Sequence, residues 1–168
     1  MNVRSMNGQF AEELAELHDG SITLFVTLPV FRSLLLSEKH AKTLAAMEGG
    51  IGEHLAYLDG IVGDILLRRE RSDGYLTREL FGSIPRIRLQ PASPARDGEI
   101  LRTVAGAQSC LMGSCSFALR YAHQAGTDRC VQVLQHCLAT IGSLADRLVL
   151  SAWERDNVTR YDHSDAVA

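Results

Sequence analysis

The chain has 168 residues, 46% of them hydrophobic and 22% charged, with a formal net charge of −3. That length suits one domain able to bury a core without staples, and the composition excludes a disordered chain. The small negative charge gives no general reason to expect nucleic acid or an anionic membrane as partner. The nearest approach to a membrane-spanning segment, ITLFVTLPVF, is too short and contains Pro29.

The N-terminal stretch MNVRSMNGQFAEELAEL lacks the apolar segment of a signal peptide. A cytoplasmic location is therefore expected, with the four cysteines present as reduced thiols. The first helix is expected over 9–35. Phe10, Leu14, Leu17, Leu24, Leu28, Phe31 and Leu35 follow steps of four and three, and Ser21 fills one place in the series. The stretch SEK at Ser37–Lys39 reads as the N-cap of a second helix over 38–71. Its series is Leu44, Met47, Ile51, Leu58, Ile61 and Ile65, and the place left open falls on His54. Within this helix EGGIGEHLAYLDG sets Gly49, Gly50 and Gly52 just ahead of a Glu-His pair. Each helix-interior glycine costs about 1 kcal/mol relative to alanine, so three together call for a reason.

The segment 72–97 holds three of the four prolines, Pro85, Pro91 and Pro94, and reads as a long connection with a short helix at Leu76–Phe81. A third helix is expected over 98–125, with Asp97 as its cap, Gly126 at its end, and Ile100, Val104, Ala107, Leu111, Cys115, Ala118 and Ala122 along one face. The fourth, over 128–156 with Thr127 as cap, carries Val131, Leu134, Leu138, Ile141, Ala145, Leu148 and Ala152. Four heptad-like seams facing one centre make an all-α, antiparallel four-helix bundle filling a single domain, 1–168. The long link lets the second and third helices run parallel, which is the ferritin-like topology with one crossover.

Several stretches resemble the YciE/YciF-like bacterial stress-associated proteins of the ferritin-like superfamily. They are TLPVF at Thr27–Phe31, SEKH after it, and HLAYLDGIV at His54–Val62. Ala107–Gln108, the helix end at Gln124–Gly126, and Leu134, Leu138 and Asp146 extend the likeness. The resemblance implies a homodimer and a stress-associated role. It also implies a dinuclear metal centre, which needs inward glutamates from two helices and Glu-x-x-His from the other two.

Those ligands are missing from this sequence. Ser21 stands where the first-helix glutamate belongs, and Gly49, Gly50 and Gly52 occupy the matching part of the second helix, with Glu48 and Glu53 off the spacing. No Asp, Glu or His occurs from Ile100 to Ala122, and Glu-x-x-His is absent from the whole chain. Ser21, Gly49, Gly52 and His54 are thus expected to be vestigial positions, with no metal, no cofactor and no catalysis carried over with the fold. His54 is expected to be a histidine satisfied by a hydrogen bond inside the bundle rather than a metal or haem ligand. The glycines would fill space that ligands vacated or admit a neighbouring helix.

Three other readings stand beside this one. A thiol or zinc site could be built from Cys110, Cys115, Cys130, His136 and Cys137, although none of them forms Cys-x-x-Cys and a packing role is the simpler account. A small ligand could enter a bundle made roomier by the glycines and Ser21. Arg68, Arg69, Arg71, Arg78, Arg86, Arg88, Arg96 and Arg102 form a basic lobe, but without interleaved aromatics it reads as a solvated surface and not a nucleic-acid site.

Overall fold

The computed structural model describes the backbone of residues 3–66 and 74–161, and the side chains of 8–63 and 74–148. Every regular element among them is a helix: α1 Val3–Leu34, α2 Glu38–Leu66, α3 Tyr75–Arg88, α4 Pro94–Ala125 and α5 Asp128–Tyr161. None of the described helices is long and apolar enough to cross a membrane. Ile65 and Ala152 of the expected seams, and Arg68, Arg69 and Arg71 of the basic lobe, lie outside the described side chains.

The sequence periodicity becomes burial. Leu14, Leu17, Leu24, Leu28 and Phe31 of α1 are fully buried, as are Leu44, Met47, Ile51 and Leu58 of α2. Ile100, Val104, Cys115, Ala118 and Ala122 of α4 meet Leu134, Cys137 and Ile141 of α5 in the same core. Helix α1 packs against α2 and α4, α5 packs against α2 and α4, and α3 lies across α1 and α4.

The connection between α2 and α4 carries more helix than its prolines suggest. The expected short helix at Leu76–Phe81 is longer: α3 starts at Tyr75 and runs through Pro85 to Arg88, because Leu80, Ser83 and Ile87 line one buried face. Helix α4 begins at Pro94, four residues before the expected start. Ser93 is its N-cap, accepting from the Arg96 backbone N–H at 3.2 Å, and Pro94 supplies a preset first turn. Gly126 closes α4 in the left-handed region, with φ 67°.

Asp97 is thereby released from capping its own helix, and it holds the α1–α2 turn instead. Its two carboxylate oxygens accept from the backbone N–H groups of Leu36 and Ser37, each at 3.0 Å. Arg96, beside it, donates to the carbonyls of Leu34 and Gln90. An anion therefore sits at the N-terminus of α2 and a cation at the C-terminus of α1, the favourable sense for both helix dipoles. Ser37 completes the turn by capping α2 through the His40 N–H at 3.3 Å. The start of α4 is thus pinned to the end of α1, so the two helices run in opposite directions, and Gly20 meets Leu111 further along. Gly50 against Leu144 and Gly60 against Arg129 set α2 and α5 antiparallel in the same way.

Candidate functional site

Two regions could carry function: the polar layer at the centre of the core and a cavity on its flank. In the central layer Ser21 and His54 are both fully buried. The Ser21 hydroxyl donates to the Leu17 carbonyl at 2.6 Å, so its oxygen must accept from His54 Nε2–H, 2.9 Å away. That assignment leaves His54 Nδ1 as a bare acceptor, and it has no partner among the described residues. Burial pushes the imidazole down to about 4, helped by repulsion from His136 and His18, so the ring is neutral at ordinary pH. Gln108 of α4 is also fully buried, and neither atom of its amide has a partner among the described residues.

The outer histidines are otherwise engaged. His18 Nε2 lies 3.0 Å from Asp59 Oδ1, joining α1 to α2. His136 is exposed and packs on Tyr57, with ring centroids 4.1 Å apart. Among the described residues no group of three or more His, Cys, Asp or Glu side chains is placed to hold a metal ion.

The three glycines of α2 have three different surroundings. A Cβ on Gly50 would lie 2.9 Å from Leu144 Cδ1, so Leu144 of α5 is seated directly on this helix. Gly52 lies under the edge of the Phe25 ring, where a Cβ would come within 3.3 Å. Gly49 is exposed, with open space where a Cβ would be. Close helix approach therefore accounts for Gly50, while neither Gly49 nor Gly52 lines the centre.

The five thiol-site candidates do not come together either. Cys115 and Cys137 are buried as neighbours, and burial pushes each thiol up to about 12, with repulsion from Cys137 adding to the effect on Cys115. Cys115 Sγ also contacts the Leu134 carbonyl at 3.4 Å. Cys110 is exposed on the far side of α4, and Cys130 lies beside Arg129 and Gly60 near the start of α5. Of the described arginines of the lobe, Arg86 and Arg102 share Glu99 at 3.2 and 2.8 Å, and Arg96 is committed to the α1–α2 turn.

The second region was not apparent in the sequence. A cavity of about 360 Å³ opens between α1, α3 and α4. Glu13, Glu16 and Asp19 of α1 line one side, Tyr75, Leu76 and Thr77 of α3 another, and Cys110, Leu111, Gly113, Ser114 and Phe117 of α4 the third. Burial raises the Glu13 carboxyl above its usual range, and the charges of Glu16 and Glu12 push the same way. The acids do recur every three residues along α1, which marks one stripe of that helix. Only the docking of α3 turns the stripe into a wall. No family model, curated protein or solved structure matches the chain.

Proposed function

We propose that the chain is a ferritin-like four-helix bundle with a binding or structural role and no catalytic one. Support for the architecture comes from α1, α2, α4 and α5, in which the pairs that pack run antiparallel, and from α3 lying within the link between α2 and α4. The likeness of TLPVF, SEKH and HLAYLDGIV to the YciE/YciF-like proteins belongs to the same reading.

One observation carries the non-catalytic part: the hydrogen-bonded pair of Ser21 and His54 at the centre, where a carboxylate cage would have to stand. Hard divalent ions need anionic oxygen ligands. A hydroxyl whose oxygen is already committed, a neutral imidazole and a primary amide do not supply them. The test is metal analysis of protein purified with iron or manganese supplied. Wild type and His54→Ala should both be metal-free after desalting. Near-stoichiometric metal in wild type that disappears in His54→Ala would overturn the proposal.

A homodimer is part of the same reading. Phe25 and Val26 leave apolar surface exposed on α1 that a second copy would cover. Sedimentation equilibrium should give twice the chain mass, and a monomer at all concentrations would remove this part alone.

A further inference from the structure

We infer that the cavity between α1, α3 and α4 binds a small organic ammonium ion with an apolar body. This deepens the binding role proposed above and rests on it, but not on the absence of metal from the centre.

The cavity has the size of a small-molecule site, and its lining is divided in chemistry. Every charged residue in it is an acid: Glu13, Glu16 and Asp19, all from one helix. His18 Nδ1 is 3.7 Å from Asp19, whereas Glu13 and Glu16 meet no cation among the described residues. The opposite walls are Leu76 and Leu111 with two aromatic rings, Tyr75 and Phe117, which are 66% and 49% exposed. Rings of this size left so open on a folded chain are surfaces that a ligand can cover.

Carboxylates on one side and aromatic faces on the other favour the same ligand. The acids attract an ammonium group by charge, the ring faces attract it through their quadrupoles, and the leucines take the hydrocarbon attached to it. The Arg120 guanidinium carbon, three residues further along α4, lies 5.5 Å from the Phe117 ring centroid, within the range of a cation–π contact. An anion would face three carboxylates, and a neutral apolar ligand would leave them uncompensated.

Two glycines shape the cavity, one by admitting its apolar wall and one by leaving room. Gly20 lets Leu76 and Leu111 close over α1, since a Cβ there would meet a terminal methyl of each at 2.9 Å. Gly113, in the interior of α4, has nothing within 4 Å of where its Cβ would be. A mid-helix glycine costs about 1 kcal/mol, and here it buries no neighbouring helix. It holds the cavity open.

The experiment compares 4-phenylbutylammonium with its neutral counterpart 4-phenylbutanol by titration calorimetry, on three proteins. Wild type should bind the ammonium about tenfold more tightly than the alcohol. In Glu13→Gln/Glu16→Gln that preference should shrink, with only Asp19 and the ring faces left to favour the ammonium, while the alcohol still binds. Gly113→Leu should lose both ligands while melting no lower than wild type, because leucine is the better helix former. Equal affinity for ammonium and alcohol in wild type, both lost in Gly113→Leu, would overturn the ammonium assignment and leave a binding cavity. Binding of neither ligand, or binding unaffected by Gly113→Leu, would overturn the ammonium site and take the binding role of this cavity with it.

Discussion

Gly20 and Ser21 are neighbours on α1, yet they belong to regions with opposite chemistry. Ser21 turns into the centre, where His54 and Gln108 are sealed from water and the ring is held neutral. Gly20 lies on the flank, where Glu13, Glu16 and Asp19 border an open cavity. The same division separates Gln108 from Cys110 on α4, two residues further on. Polar side chains alone therefore do not mark a binding site in this fold. A closed layer holds polar groups in neutral forms, whereas an open one leaves them charge and room for a ligand.

The cysteines give the largest readout of that contrast. Raising a thiol from 9.0 to about 12 lowers its thiolate fraction about a thousandfold, and burial of Cys115 and Cys137 slows reagent access further. Cys110, exposed at the cavity, should be labelled by a maleimide within minutes, and the buried pair only on unfolding. Peptide mapping after timed labelling distinguishes them. Comparable rates at Cys110 and Cys115 would mean that the centre is not sealed.

The next effect is on acid stability. His54 falls from 6.5 to about 4 in the folded chain, so between those values the unfolded state holds the extra proton. Folding is therefore fully supported by this group above about pH 6.5 and loses that support as pH drops toward 4. At about 1.4 kcal/mol per pH unit the loss comes to about 3 kcal/mol. Urea unfolding at a series of pH values should show this slope in wild type. The slope should be much reduced in His54→Leu. An unchanged slope in that variant would place the acid sensitivity elsewhere.

Substitutions at Ser21 and Gln108, the other buried polar residues of the centre, should move stability in opposite directions. Ser21→Ala removes the acceptor of a buried Nε2–H and should cost about 2 kcal/mol. Gln108→Leu removes two buried polar atoms that bond to nothing among the described residues, and should stabilise the chain by about 1 kcal/mol. Neither should alter binding at the cavity. A loss of stability in Gln108→Leu would show that the amide has a partner that matters.

The centre was largely legible in the sequence and the flank was not, for a physical reason. Heptad spacing reports the inward face of each helix, so Ser21 and His54, as polar entries in apolar series, belong to the interior on spacing alone. Spacing says nothing of what lies outside the seam. Whether Glu13 and Glu16 face water or a cavity depends on where α3 docks, and the prolines around α3 disguised it as a connection. Asp97 departs from its expected capping role for a related reason. Next to a helix start it looks like a cap, but Ser93 and Pro94 had already opened the helix, and its true partners lie about 60 residues away along the chain.

The glycines of α2 test the finest part of the contrast, because they share a helix and differ only in what lies opposite. Replacement of any of them by alanine gains up to about 1 kcal/mol of helix propensity. At Gly49 nothing opposes the new methyl, so nearly the whole gain should appear. At Gly52 the methyl meets the edge of a partly exposed Phe25 ring at 3.3 Å, and the ring can give way at small cost. At Gly50 it would lie 2.9 and 3.0 Å from the two methyls of Leu144, so that side chain must move as a whole, and the gain should be cancelled. Chemical denaturation should therefore rank the variants Gly49→Ala, Gly52→Ala and Gly50→Ala from most to least stable. If Gly50→Ala were as stabilising as Gly49→Ala, Leu144 would not be seated on the α2 backbone, and the close contact between α2 and α5 beside the His54 layer would have to be abandoned.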